Sequence, residues 1–185
     1  MQLNTLGLAH EFLRRSVRPG DVCVDATAGR GRDTALLCRL AGADGRVLAF
    51  DVQPEAVRQT RALLAEEGLR AEVYLDSHAN LLRYLPPESV QAVVFNLGRL
   101  PGGDPHIFTT ARSTLPALSA AAELLRPGGV ISLSVYYGGP NGYSERDAVL
   151  SWLRTLDDRR YTVLAAEWAN RRGEPPLPVF IWREC

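Results

Sequence analysis

Asp25, Gly29, Gly31 and Asp51 are the residues of this chain whose types and spacing most directly suggest chemistry. The first three fall in VCVDATAGRGRDT, residues 22–34. The two glycines let backbone approach a ligand, and the N–H groups that begin the following helix have no partners within it. Asp51 closes the run RVLAFD, about 20 residues on, where a carboxylate can accept hydrogen bonds from both hydroxyls of a ribose. Together these features describe a nucleoside-cofactor site. A dinucleotide loop would carry a third glycine where this chain has Thr34. Asp25 would sit poorly beside a pyrophosphate and suits a cationic sulfonium amino acid. A glycine turn without a ligand is the plainer alternative, and Asp51 at the right offset weighs against it.

These residues must be positioned by strands and helices, and the hydrophobic pattern supplies both. Residues 22–24 read as a buried strand ending at Asp25, and a helix begins at Asp33. Ahead of them, residues 3–16 form an amphipathic helix with Leu3, Leu6, Leu8, Phe12 and Leu13 on its apolar face, stopped near Pro19-Gly20. The pattern then predicts a strand at 46–51, a helix at 54–67, a strand at 73–76, a short helix at 79–85 and a strand at 90–97. A loop at 98–106 leads to a helix over 115–125. The turn 126–129 opens a strand at 130–136, and a glycine-rich loop at 138–142 precedes a helix at 145–156. Two final strands, 161–168 and 177–182, have too short a linker for a crossover helix and must pair antiparallel. The reading is an α/β, Rossmann-like sheet, mostly parallel, with helices on both faces.

In such a sheet ligands bind outside the carboxyl ends of the strands. Those ends carry Asp25–Gly31, Asp51, the triplet Asp76-Ser77-His78, the loop 96–104 and residues 136–142. The pattern D-x-x-x-G-x-G with an acid ending the second strand resembles class I S-adenosylmethionine-dependent methyltransferases, and that resemblance implies a His78 ring packed near the adenine or capping the short helix, with a general base as the alternative. In NLGRLPGGD, Asn96 and the Gly98 backbone can accept hydrogen bonds from a nucleophilic nitrogen, and Asp104 is a second polar group. Methyl transfer from a sulfonium is an in-line displacement, so alignment and exclusion of water matter more than acid–base help.

Composition bounds the rest. At 185 residues and 46% hydrophobic, the chain suits one domain with a sizeable core. The 21 basic residues, all arginine, balance 21 acidic ones, so no global field draws it to nucleic acid or membrane. Any RNA footprint must be local. Arg30, Arg32, Arg99, Arg112, Arg146, Arg171 and Arg172 all fall on loops or helix starts of the carboxyl-end face. Tyr136, Tyr137 and Tyr143 can stack on a base. Cys23, Cys38 and Cys185 lack the spacing of a disulfide framework or a metal site. With no signal peptide and no apolar run near a membrane span, a cytoplasmic protein without membrane or metal is expected.

Six stretches in order, VDATAGRGRDT, FDVQPEAV, DSHANL, FNLGRLPGGD, LLRPGGVISLSVYYGGPNG and EPPLPVFI, resemble the YtqB-like family of class I S-adenosylmethionine-dependent tRNA methyltransferases. The resemblance spans about residues 5–182 and implies a seven-stranded sheet with an antiparallel C-terminal strand. It implies N-methylation of 5-aminomethyl-2-thiouridine at the wobble position, with the anticodon stem-loop of tRNA as partner and S-adenosylmethionine as cofactor. The cofactor set it implies is Asp25, Gly29, Gly31, Asp51, Ser77 and His78, with Asn96 at the methyl end. Thr27, Asp33, Thr34 and Gln53 of the same two turns extend that set. Asn96, Asp104 and Tyr136 are the catalytic candidates, and Gly98, Arg99, Tyr137, Arg171 and Arg172 face the RNA. Tyr137 and Gly139 depart from the family pattern, which has histidines after Tyr136. A small-molecule N- or O-methyltransferase, an rRNA methyltransferase and a non-catalytic cofactor-binding or nicotinamide-dependent protein are the competing readings. The assembly state, a homodimer included, stays open.

Overall fold

The structure, a computed structural model, describes residues 4–100, 102–104, 106–139 and 142–185. Leu3, Pro101, Pro105, Pro140 and Asn141, which the sequence reading places in a helix and two loops, lie outside the described residues. The elements run α1 (Thr5–Ser16), β1 (Val22–Asp25), α2 (Arg32–Ala41), β2 (Arg46–Asp51), α3 (Pro54–Glu66) and β3 (Glu72–Leu75). A 3₁₀ turn (His78–Arg83) follows, then β4 (Val90–Leu97), α4 (Ala111–Leu124), β5 (Leu125–Val135), α5 (Gly142–Leu153), β6 (Tyr161–Ala165) and β7 (Leu177–Arg183).

Seven strands form one sheet in the order β3-β2-β1-β4-β5-β7-β6. The first five are parallel, and β7 runs antiparallel to both β5 and β6. Alternation along the strands splits the core between two faces. Val24, Leu48, Phe50, Val93 and Phe95 pack with Leu81, α4 and α5 on one face. Cys23, Val47, Ala49, Ala92 and Val94 pack with α1, α2 and α3 on the other. This is the doubly wound arrangement, and its order reverses between β1 and β4, where a crevice must open at the carboxyl ends. Among the described residues no helix is long and apolar enough to cross a membrane.

Of the boundaries that differ from expectation by three residues or more, α5 runs Gly142–Leu153 rather than over 145–156, and three others have a tertiary reason. β5 starts at Leu125, paired with Val90, before residues 126–129 loop out and pairing resumes at Ala92 and Val130. The turn therefore lies inside the strand as an irregularity. α4 begins at Ala111 and runs through Pro116, because an extended Thr110 starts it four residues before the apolar run. β6 ends at Ala165, since its last register partner on β7 is Val179. Trp168 instead folds back, and its indole N–H donates to Thr5 Oγ1 at 3.1 Å.

Candidate active site

A cavity of about 420 Å³ opens at the carboxyl ends of β1, β2, β3 and β4. The β1–α2 turn forms one wall. Gly31, with φ +80, occupies the N-cap of α2, and its N–H donates to the Ala28 carbonyl at 2.8 Å. Gly29, with φ +53, lines the cavity, and its N–H donates to Asp51 Oδ2 at 2.9 Å. The other Asp51 oxygen accepts from the Gln53 N–H at 2.9 Å. Each carboxylate oxygen keeps further acceptor capacity, so a ribose diol can bind without displacing either backbone bond.

Asp25 is set apart from this wall. It is fully buried behind the turn, accepting from Thr27 N–H at 3.2 Å and from the Thr34 hydroxyl at 2.6 Å. Thr34 is likewise fully buried. Both shape the turn from within, and Gly31 stands with them outside the cavity lining. Burial and the nearby Asp33 charge push the Asp25 carboxyl up to about 7, outweighing the two donated hydrogen bonds. The folded value exceeds the unfolded one, so Asp25 contributes stability that is fully present below about pH 4 and lost as pH rises through about 7. Asp25→Asn keeps the shape while removing that titration. Its melting temperature should therefore change less than wild type's between about pH 5 and about pH 8. Equal slopes in thermal scans of the two proteins would discard this assignment.

The floor carries Asp33 and Asn96. Asn96 is the penultimate residue of β4, its backbone N–H donating to Thr27 Oγ1 at 2.7 Å and its Nδ2 to Asp33 Oδ2 at 2.7 Å. The second Asp33 oxygen lies 2.6 Å from His10 Nε2 of α1. His10 is absent from the sequence-derived site: α1 precedes the glycine turn, and no motif spacing links the two. Beyond the end of β3, Asp76 accepts from Ser77 N–H at 2.7 Å, Asn80 Nδ2 at 2.8 Å and the Tyr84 hydroxyl at 2.7 Å. Ser77 caps the 3₁₀ turn by accepting from Ala79 N–H. Burial lowers the His78 pKa, so the ring is neutral; Nδ1–H donates to the Ala26 carbonyl at 3.1 Å, leaving Nε2 an acceptor.

On the acceptor side Gly98, Arg99, Phe108 and Tyr136 line the cavity. Tyr136 is 44% exposed, and burial of its hydroxyl end together with the Asp33 charge raises its pKa. The loop after β4 is clamped by two threonines and a glutamate that sequence reading missed. Thr109 Oγ1 accepts from Gly98 N–H at 2.7 Å and donates to Glu145 at 2.8 Å, while Thr114 donates to the same buried carboxylate at 2.6 Å. Burial raises the Glu145 pKa. No local pattern signals a contact between a loop and a helix this distant in the chain.

Other expected residues lie away from the cavity. Asp104 is exposed and accepts from His106 N–H at 2.8 Å, a turn cap rather than a pocket group. Arg146 lies against both Tyr137 and Tyr143, its guanidinium carbon 4.9 and 4.8 Å from the two ring centres, and the rings meet edge-to-face at 5.5 Å. Arg171 covers the Trp168 ring, and Arg172 and Arg112 are exposed. Arg30 and Arg32 do line the opening. Among the described residues no cluster of three or more His, Cys, Asp or Glu could hold a metal.

A sulfonium nucleoside fits these residues: Asp51 would accept from its ribose, the Gly29 turn admits backbone contact, and the His78 ring would face its base. The family model described as "Putative rRNA methylase" matches residues 47–182. A chloroplastic tRNA (mnm(5)s(2)U34)-methyltransferase of Arabidopsis thaliana is 34% identical over 188 residues, spanning 96% of this chain and 69% of that protein. The crystal structure of a "putative rRNA-methylase" from Clostridium thermocellum superposes with a TM-score of 0.95 at 40% identity, covering 99% of both chains. A "putative methyltransferase" from Streptococcus mutans in complex with SAH gives 0.89 at 34% identity, again over 99% of both chains. Similarity along the whole chain, rather than through the glycine turn alone, places this protein in the family described as "Putative rRNA methylase", as a class I, S-adenosylmethionine-dependent methyltransferase.

Proposed function

We propose that this enzyme N-methylates 5-aminomethyl-2-thiouridine at the wobble position of tRNA, giving the 5-methylaminomethyl form. The observation that carries the reading is the 34% identity over 96% of the chain to a protein named for that nucleoside. The cavity chemistry supports it. Asn96 donates through Nδ2 to Asp33, so its carbonyl oxygen is the end left for an acceptor amine. Phe108 and Tyr136, both partly exposed at the opening, offer faces on which an extruded base can stack. Arg30, Arg32 and Arg99 at the rim suit flanking phosphates.

The bound cofactor supplies an electrophilic methyl group. Asp51 and the Gly29 turn hold its nucleoside, and Asn96 holds the amine by an N–H donated to Oδ1, leaving the nitrogen lone pair free. The amine must be neutral to react, so the rate rises with pH through the amine's own pKa. The reading places the enzyme with tRNA in the cytoplasm, acting as one domain on an anticodon stem-loop.

Mass spectrometry of nucleosides from tRNA carrying the aminomethyl group, incubated with enzyme and cofactor, should reveal one added methyl at that base. Asp51→Ala should weaken cofactor binding by about 1.5–3 kcal/mol, the scale of hydrogen bonds to a charged group. Methylation of a free amine with none of tRNA would replace the RNA reading by the small-molecule one.

A further inference from the structure

His10 takes no part in the scheme above, yet it makes one of the closest polar contacts in the site. Its Nε2 lies 2.6 Å from Asp33 Oδ1, and Asp33 Oδ2 accepts from Asn96 Nδ2 at 2.7 Å. Asp33 is 8% exposed and sits in the first turn of α2, with its two oxygens pinned from opposite elements. An ionised carboxylate only accepts hydrogen bonds, so it must face the NH₂ end of Asn96 and never the carbonyl end. Two donors on separate oxygens also stop the carboxylate from turning. α1 is itself rigidly seated. Thr5, Ala9 and Leu13 are buried, and the Phe12 ring packs at 4.5 Å from Phe180 and 5.1 Å from Trp182. Leu6, one helical turn before His10, lines the cavity.

We infer that His10 is a positioning residue: acting through Asp33, it fixes the Asn96 amide so that Oδ1 faces the acceptor nitrogen. This rests on the methyltransferase reading above and adds to it a residue from an element outside the cofactor fold's first βα turn. His10 is not among the residues that line the cavity. A plain staple between α1 and α2 would affect stability alone, whereas the positioning role must appear at Asn96.

The test compares His10→Leu, which fills the space without a donor, with His10→Gln, whose Nε2–H can replace the imidazole N–H. In ¹⁵N-labelled protein without ligands, His10→Leu should shift or broaden the Asn96 side-chain amide signals, and His10→Gln should leave them near their wild-type positions. Single-turnover methylation of tRNA should fall about 10-fold in His10→Leu, less than a displacement of about 1 Å at the reacting atoms would cost. His10→Gln should recover most of that loss. Affinity for S-adenosylhomocysteine by calorimetry should not change in either variant. In the double variant His10→Leu/Asn96→Ala the rate should equal that of Asn96→Ala, since the relay ends at Asn96. Wild-type amide signals in His10→Leu, or losses in His10→Gln equal to those in His10→Leu, overturn the proposal. An additive double variant does the same. Should wild-type enzyme leave tRNA unmodified, the substrate reading fails, and the amide signals still decide the role of His10.

Discussion

Asn96→Ala is expected to slow methyl transfer about 100-fold with both ligands saturating, while cofactor affinity stays within a few-fold of wild type. Asn96, the penultimate residue of β4, lies on the cavity floor, half-buried, with its backbone N–H held by Thr27 Oγ1 at 2.7 Å. Alanine keeps that backbone bond, so the strand end and the turn above it survive. What disappears is the amide, which joins Asp33 through Nδ2 and offers Oδ1 to the acceptor. The chemistry needs little proton transfer, so the cost falls on alignment, where about 1 Å of misplacement costs on the order of 100-fold. Single-turnover measurement isolates this step from binding and product release. A wild-type rate in the variant would assign Asn96 to bracing alone. Tyr136 would then inherit the contact with the amine, because it lines the same cavity and Asp104 does not.

Gly31→Ala should cost about 2–5 kcal/mol of stability, lowering the melting temperature by roughly 5–15 °C for a chain of this size. Two effects add. Gly31 has φ +80, where a Cβ costs about 1–2 kcal/mol. That Cβ would also lie 2.9 Å from Thr60 Cα and 3.1 Å from its Cγ2. Thr60 is a fully buried residue of α3, so relief requires moving a packed helix rather than a flexible side chain. Gly29→Ala provides the internal comparison. Its φ of +53 carries the same kind of backbone cost, but the nearest atom is Leu100 Cδ1 at 3.5 Å, an ordinary contact. Gly31→Ala should therefore be the less stable of the two, and Gly29→Ala the more damaging to cofactor binding. Equal melting temperatures would mean that α2 and α3 part easily, and that the second effect is absent.

Much of this site was legible in the chain because its signals are local. The run VCVD, the glycines and RVLAFD each carry their meaning within a few residues, and β1, β2 and β4 begin or end where the pattern places them. The nearly continuous apolar run at 90–97 also reads as a central strand, since a strand covered on both faces must be apolar on both, and β4 lies between β1 and β5. Asp51 could be read as a ribose ligand from its place at the end of β2, and the structure puts it in the cavity wall. Asp104 shows the limit of such reading. It has the right type and the right loop, yet its carboxylate accepts from His106 N–H and stays outside.

What the sequence by itself determined is the set of elements, the two faces of the sheet and the edge at which a ligand binds, because each follows from periodicity, turn chemistry and chain connectivity. Only the tertiary structure decided which polar groups meet. Asp25 withdraws behind the turn because Thr34 and Thr27 N–H satisfy it there. Glu145 reaches back to Thr109 and Thr114 across the sheet end, and β5 starts early because Leu125 finds Val90. His10 reaches Asp33 because Phe12 is packed on Phe180 and Trp182, residues at the far end of the chain. A hydrogen bond acts over about 3 Å, and the relative placement of two helices is settled by side-chain packing that no spacing within either helix encodes.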